Sequence, residues 1–318
     1  MVHASSNGPG TGVCRLGTRG SDLALWQART IAGMLHERGV ATEIVIITTT
    51  GDAIDNVPFS KLEGKGFFTK ELEDAQLEGR VDFAVHSLKD LATEMPAGLQ
   101  LVAMVGREDP REMLLARPEA VDLERQERGE VLPLVAGATL GTSAARRQAQ
   151  VRGLRPDLEI RDLRGNVPTR VNRVREGRYD AIMLARAGLV RLELDLHELW
   201  AMPLEVGDFV PAPAQGMLGI QCRRDDPWAE VLRQLHTAGA ARGVAAERTL
   251  LERLDGGCQL PFGVNVQPHG DGWKLEAFLA AHAEDTGGVR FTLEGDDPAA
   301  LGEEAWRRLR PHREAARR

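Results

Sequence analysis

Three groups of residues stand where a chain can do chemistry. In His86-Ser87-Leu88-Lys89-Asp90, the run Val81 to His86 reads as a buried strand, so Lys89 and Asp90 fall at its C-terminal mouth. A carboxylate and an ammonium there can stabilise charge and move protons. In Gly256-Gly257-Cys258-Gln259-Leu260-Pro261 a thiol sits on an exposed loop. Guanidinium groups gather where strands turn into helices: Arg146 and Arg147 after Gly141-Thr142-Ser143, then Arg164 before Gly165-Asn166 with Arg170 one turn later. Ser143 is expected to cap the helix that carries Arg146 and Arg147 in its first turn, where free N–H groups and the helix dipole also favour an anion. Arg pairs bidentately with carboxylate or phosphate, so several in one crevice suit a ligand with multiple planar anionic groups. Taken singly, each group has a plainer reading: Cys258 as a small buried hydrophobe, Lys89 and Asp90 as a surface pair, and about half the arginines as solvated helix face.

The distribution of charge favours a local anion site. Only five of the 40 basic residues are lysine, so one Arg says little. Residues 146–191, however, hold twelve Arg against five acids, a net +7 inside a chain whose 47 acids bring the total to -7. That total argues against a surface that grips nucleic acid or anionic lipid throughout. Tyr179 is the one aromatic residue in the segment, too few for base stacking.

The elements that must position these groups follow from periodicity and punctuation. Val13 to Thr18 reads as a strand, and Ser21 caps a helix with Ala24, Ala28, Ile31 and Leu35 on one face, stopped at Gly39. Glu43 to Thr50 and Leu99 to Val105 read as strands and Phe67 to Glu78 as a helix. The turn-rich Gly51 to Gly66 is long enough to act as a lid. The pattern then repeats by residue identity: Leu16-Gly17-Thr18 recurs as Leu140-Gly141-Thr142, and Gly79-Arg80-Val81-Asp82 recurs as Gly177-Arg178-Tyr179-Asp180 before Ile182 to Ala185. Two matches in the same order predict two similar α/β domains, with ligand crevices at their strand-to-helix junctions.

Downstream of Pro203, Pro211 and Pro213, a helix over Val244 to Leu254, strands near Gly263–Gln267, Trp273–Ala280 and Val289–Leu293, and a helix from Pro298 to Leu309 predict a smaller α+β domain. Residues 1–12 and 311–318 are expected to be disordered tails.

Composition narrows the class. The 318 residues, 42% hydrophobic and 27% charged, suffice for two or three globular domains. Cys14, Cys222 and Cys258 are too few and too far apart for a disulfide framework, and neither C-x-x-C nor H-E-x-x-H occurs, so no metal is expected. Gly64-Lys65 is followed by Gly66, which breaks the P-loop pattern, and no G-x-G-x-x-G follows a strand. With no apolar run of about 18 residues and no leader-like start, the expectation is a cytoplasmic protein without a membrane partner.

Taken together, the motifs closely resemble one family. Thr18-Arg19-x-Ser21-x-Leu23-Ala24-Leu25-Trp26-Gln27-Ala28, Lys65-Gly66-x-Phe68-x-Lys70-Glu71-Leu72-Glu73, Val85-His86-Ser87-x-Lys89-Asp90, Arg107-Glu108-Asp109-Pro110-Arg111, Gly141-Thr142-Ser143-x-x-Arg146-Arg147-Gln148, Leu163-Arg164-Gly165-Asn166-Val167-x-Thr169-Arg170, Gln215-Gly216 and Gly256-Gly257-Cys258-Gln259 occur in unbroken order. The resemblance is to porphobilinogen deaminase, also called hydroxymethylbilane synthase, from about residue 15 to 265.

The resemblance implies a transferase of tetrapyrrole and haem biosynthesis. It joins four porphobilinogen molecules head to tail with release of ammonia, and releases a linear tetrapyrrole, hydroxymethylbilane. It implies a dipyrromethane cofactor held by a thioether on Cys258. Loss of ammonia leaves an electron-poor azafulvenium cation, and Asp90, with Lys89 beside it, matches the family's catalytic position that stabilises this charge and moves protons. Arg19, Ser21, Ser87, Lys89, Thr142, Ser143, Arg146, Arg147, Arg164, Gly165, Arg170, Arg191 and Gln215 match positions that bind cofactor and substrate. The implied fold is two periplasmic-binding-protein-like α/β domains, 13–107 with 209–225 and 108–208, and a smaller α+β domain, 226–310, bearing the cysteine. A monomer acting on a small molecule, with no nucleic acid or membrane partner, is expected.

Ala92, Ala144, Ala214 and Arg186 depart from the family pattern, but the Cys, the Asp and the paired Arg remain. The rival readings are a non-enzymatic two-lobed receptor for a dicarboxylate or phosphate, and nucleic-acid binding through residues 146–191, which predicts steep salt dependence.

Overall fold

The computed structural model of the protein describes residues 12–49, 69–256 and 259–317. The lid expected over 51–66, the tail 1–11 and Cys258 lie outside the described residues. Two compact units are present, one of residues 12–49, 69–106 and 217–241, the other of 107–216 and 242–317.

The first unit is built on a five-stranded sheet. In chain order its strands are β1 (Cys14–Thr18), β2 (Thr42–Ile46), β3 (Phe83–Ser87) and β4 (Leu99–Val105), joined later by Leu218–Arg223. The intervening strands β5 (Glu112–Ala116), β6 (Thr139–Gly141), β7 (Glu159–Arg161), β8 (Ala181–Ala185) and β9 (Trp200–Leu204) form the sheet of the second unit, so Leu218–Arg223 is β10. Sheet order is β2-β1-β3-β10-β4 in the first and β7-β6-β8-β5-β9 in the second. In both, the first three strands run parallel and the fourth position is antiparallel to its neighbours. The fourth position is filled by the returning chain in one unit and by the opening strand in the other.

The repeated strings have a physical basis in this shared topology. Asp82 Oδ2 accepts the backbone N–H of Arg15 at 2.7 Å, and Asp180 Oδ2 accepts that of Thr139 at 2.8 Å, so each carboxylate pins the start of a neighbouring strand. A Cβ on Gly17 would stand 3.0 Å from Val81 Cγ2, and one on Gly141 2.8 Å from the Tyr179 ring. Residues 81 and 179 therefore pack where a larger residue at 17 or 141 would intrude.

Helix Asp22–His36 covers the first sheet with Ala28, Ile31 and Leu35 buried, and Ser21 caps it by accepting Ala24 N–H at 3.4 Å. The second sheet packs helix Ala145–Leu154 into one core and helix Val167–Arg175 into another. Helix Ala145–Leu154 corrects an expectation. Its N-cap is Ala144, which has no side-chain cap, while Ser143 Oγ accepts Leu163 N–H at 2.9 Å and donates to Leu163 O at 3.0 Å. The hydroxyl is spent across the crevice between two strand ends instead of on the helix.

The second unit also contains the antiparallel sheet β11 (Phe262–His269), β12 (Gly272–Leu279) and β13 (Val289–Gly295), whose core includes residues of helices Ala238–Arg253 and Pro298–Ala316. The last helix runs to Ala316, where sequence predicts a helix ending at Leu309 and a disordered tail over 311–318. Pro311 removes one donor inside it. Arg313 compensates by donating to Leu254 O at 2.9 Å, and Arg317 pairs with Asp255 at 2.9 Å, tying the final turns to the preceding helix.

Unit boundaries fall at 106/107, 216/217 and 241/242, where the sequence suggested 107/108, 208/209 and 225/226. Residues 226–241 join the first unit because Trp228, Leu232 and Leu235 fill its core.

Candidate active site

In the first unit the candidate residues sit at the C-terminal end of β3. A 3-10 turn over Leu88–Asp90 follows it directly. Leu88 and Leu91 are buried, Leu88 N–H donates to Met217 O at 2.9 Å, and Leu91 N–H returns to Leu88 O at 3.3 Å. Two apolar anchors three residues apart leave Lys89 half-buried and force Asp90 outward into solvent. Among the described residues no hydrogen bond or ion pair holds the Asp90 carboxylate, so the plainer reading as a surface pair with Lys89 is not what is seen. Ser87 Oγ accepts Gln27 Nε2 at 2.7 Å, and Arg19, half-buried, and Ser21 stand at the β1-to-helix junction.

Beneath the turn lies a buried polar network. Gln221 Oε1 on β10 accepts from Gln76 Nε2 at 2.9 Å and meets His86 Nε2 at 3.1 Å, while Gln221 Nε2 donates to Glu73 at 3.1 Å. Burial pushes the His86 pKa down to about 4, so the imidazole is neutral and donates through Nε2. A Cβ on Gly219 would stand 2.8 Å from Leu88 Cδ1. Gly219→Ala is therefore expected to displace Leu88 at a cost of about 1 kcal/mol in stability. Turnover should fall severalfold; turnover equal to the parent in the folded variant would show that Leu88 does not set the turn.

In the second unit the two strongest arginine candidates are not on the surface. Arg146 and Arg147 are each 6% exposed and clasp one fully buried carboxylate, Glu112 at the start of β5. Arg146 Nη2 donates to Glu112 Oε1 at 2.5 Å and Arg147 Nη2 to Oε2 at 2.7 Å, while their Nη1 atoms donate to Val210 O at 2.7 Å and Met183 O at 2.9 Å. The cluster carries one positive charge more than it neutralises. Arg147 Nε is buried and has no hydrogen-bond partner among the described residues.

The other junction residues are held by the backbone. Thr142 is buried, its N–H donating to Arg161 O at 2.9 Å and its Oγ1 accepting Ala144 N–H at 3.3 Å. Asn166 caps helix Val167–Arg175, and Arg170 Nε donates to Gly165 O at 2.7 Å. Gly165 has φ 97°, and a Cβ there would strike Thr169. Half-buried Arg164 offers its carbonyl to Arg173 Nη1 at 2.8 Å. Arg191, 8% exposed, donates to Gly216 O at 2.5 Å, and buried Gln215 donates to Pro110 O at 2.7 Å. Ala214, where the family pattern has Gly, adopts φ 61°, a left-handed conformation that costs a non-glycine residue about 1–2 kcal/mol. Arg186, the added base, pairs with Asp109 at 2.7 Å beside Arg111. Burial would raise the Asp109 carboxyl, but the two guanidiniums hold it below its ordinary range.

Glu112, Gln27 and Gln221 escaped the sequence reading. Gln27 lies inside a quoted motif, and a polar residue on the apolar face of helix Asp22–His36 was a usable signal. Glu112 and Gln221 lie 34 and 135 residues from the groups they bind, with no local pattern to mark them.

Comparison with known proteins agrees with the motif reading. Residues 14–230 match the family model described as "Porphobilinogen deaminase, dipyromethane cofactor binding domain", and residues 241–310 match "Porphobilinogen deaminase, C-terminal domain". The chain is 43% identical over 285 residues to the porphobilinogen deaminase of Geobacter metallireducens, covering 88% of this chain and 85% of that protein. It is likewise 43% identical over 300 residues to that of Trichlorobacter lovleyi, covering 93% and 92%. Among solved structures, a periplasmic substrate-binding protein from Coxiella burnetii matches 70% of this chain and 90% of its own, at 13% identity and a TM-score of 0.42. Two family models in sequence and relatives of this identity along nearly the whole length establish that the chain belongs to the porphobilinogen deaminase family.

Proposed function

We propose that the chain is a transferase that polymerises four porphobilinogen molecules, with release of ammonia, into hydroxymethylbilane on a dipyrromethane primer attached through Cys258. The reading is carried by the Arg146–Glu112–Arg147 cluster, whose surplus positive charge and buried Arg147 Nε, without a hydrogen-bond partner among the described residues, suit a carboxylate ligand. Each pyrrole of the primer bears an acetate and a propionate, so this donor set fits the group. When bound, the primer supplies the nucleophilic ring to which substrate is added.

The chain's own residues take the remaining roles. Asp90, exposed on a turn anchored at both ends, stabilises the cation left when ammonia departs and accepts the proton released after bond formation. Lys89 and Ser87 supply donors beside it, and Gln27 fixes the Ser87 hydroxyl. Arg19, Ser21, Thr142, Ser143, Arg164, Gly165, Arg170, Arg191 and Gln215 bind the acetate and propionate groups or shape the backbone around them, with Arg146 and Arg147 as the central pair. The three-stranded sheet with helix Pro298–Ala316 serves as the third, cysteine-bearing domain. The free, buried thiols of Cys14 and Cys222 suit a cytoplasmic location. Few large apolar side chains are exposed among the described residues, Ile46 and Leu123 being two of them, which suits a monomer.

Denaturing intact-mass analysis tests the attachment. Protein made in cells that synthesise porphobilinogen is expected to carry an adduct of two pyrrole rings that survives thiol reductant and maps to Cys258. An unmodified Cys258 in active protein would overturn the reading.

A further inference from the structure

The arginine pair is itself held from the three-stranded sheet, through residues that have no assigned role. Val210 O accepts both Arg146 Nη1 at 2.7 Å and Gln150 Nε2 at 3.0 Å, and Val210 N–H donates to Gln150 Oε1 at 2.8 Å. One buried amide thus satisfies both polar groups of one backbone residue. Arg290 on β13 reaches the same amide: its Nη2 donates to Gln150 Oε1 at 2.9 Å, and its Nη1 donates to Gly207 O at 2.9 Å and Asp208 O at 2.6 Å. Although Arg290 is exposed overall, its guanidinium lies over the Phe278 ring, 5.6 Å from the centroid.

Arg has donors and no acceptor. Gln150 must therefore turn its oxygen toward Arg290, which leaves its NH2 for Val210 O. A flipped amide would set donor against donor at Arg290 and at the Val210 N–H. The orientation of Gln150 fixes the carbonyl that Arg146 shares, and through Glu112 it fixes Arg147. Below this chain Ala149, Val210, Phe278 and Ala280 form one small apolar cluster, and a Cβ on Gly263 of β11 would meet Val210 O at 2.8 Å and Arg146 Cδ at 3.1 Å. The sheet approaches the pair closely enough that a shift of one moves the other.

We propose that Arg290 and Gln150 are positioning residues for the reaction, holding the Arg146–Arg147 pair in register with the three-stranded sheet. The proposal rests on the carboxylate-binding reading of that pair for its kinetic consequence, but not for its structural one. The test uses primer-loaded protein and the variants Arg290→Gln, Arg290→Lys and Gln150→Leu. The direct readout is hydrogen exchange of the buried Arg147 Nε–H, followed by nitrogen-resolved NMR.

Arg290→Gln is expected to quicken that exchange about tenfold, with Arg290→Lys giving little rescue because an ammonium cannot span three acceptors in a plane. KM should rise about tenfold while kcat stays within about twofold. Gln150→Leu should reproduce both effects. Exchange unchanged in folded Arg290→Gln, or fully restored by Lys, overturns the proposal. Quickened exchange with an unchanged KM upholds the positioning role and instead refutes carboxylate binding by the pair.

Discussion

Asp90→Asn is expected to lower kcat by about 10³-fold while leaving the fold intact. The substitution keeps size and shape and removes only the charge. That charge is what the mechanism uses, since a fixed carboxylate beside a developing cation contributes about 10²–10⁴-fold through proton transfer and electrostatic stabilisation. Stability should barely change. The side chain is exposed, and the turn is held by Leu88, Leu91 and the Met217 carbonyl rather than by Asp90. Surface changes of this kind shift stability by about 0.5 kcal/mol or less. The checks are ammonia release during turnover and a thermal melt of the same sample. A variant that melts normally and keeps more than a tenth of parental kcat would remove Asp90 from the mechanism.

Glu112→Gln is expected to have the largest effect on stability. The carboxylate is fully buried and is the counter-ion of two guanidiniums that are themselves almost buried. Removing one partner from a buried ionic cluster costs about 3–5 kcal/mol, because the remaining charge has lost its compensation without regaining water. For a unit of this size the thermal midpoint should fall by roughly 10 °C. The variant also carries two uncompensated positive charges at the proposed ligand site, so millimolar phosphate should recover part of the loss by binding the folded form. Arg147→Leu should behave oppositely: Glu112 keeps Arg146, stability falls less, and retention of substrate or primer falls more. A Glu112→Gln melt unchanged from the parent would show that the carboxylate does not compensate the pair, and a lowered melt insensitive to phosphate would show that the pair does not take an anion.

The parts of this molecule that were legible in its sequence are those written locally. The Leu-Gly-Thr and Gly-Arg-x-Asp repeats predicted twin α/β units because Asp82 and Asp180 do the same work on neighbouring strands, and Gly17 and Gly141 leave the same space. Val81 to His86 is a largely apolar run in the string itself, so the place of Lys89 and Asp90 at a strand's C-terminal mouth followed from hydrophobic pattern, whereas the anchoring of the turn by Leu88 and Leu91 did not. The burial of Arg146 and Arg147 was not legible. Helix position predicted an open anion site, but the partner carboxylate arrives from a strand 34 residues earlier. Ser143 misled for a related reason: a hydroxyl before a helix is an ordinary cap, and only the fold brings Leu163 close enough to claim it. The last helix outran Pro311 because its stabilising contacts are to residues near 255, some 60 positions upstream.

The position of β10 bears on how the chain can be made. Strand β10 lies between β3 and β4 and pairs with both, yet it is translated more than a hundred residues after them. As the polypeptide leaves the ribosome, the first sheet therefore waits with two unsatisfied edges until residue 223 has emerged, while the second sheet has all five of its strands by residue 204. The nascent chain is expected to finish its middle before its beginning. Products truncated between those two points should be captured by chaperones or aggregate through the open edges.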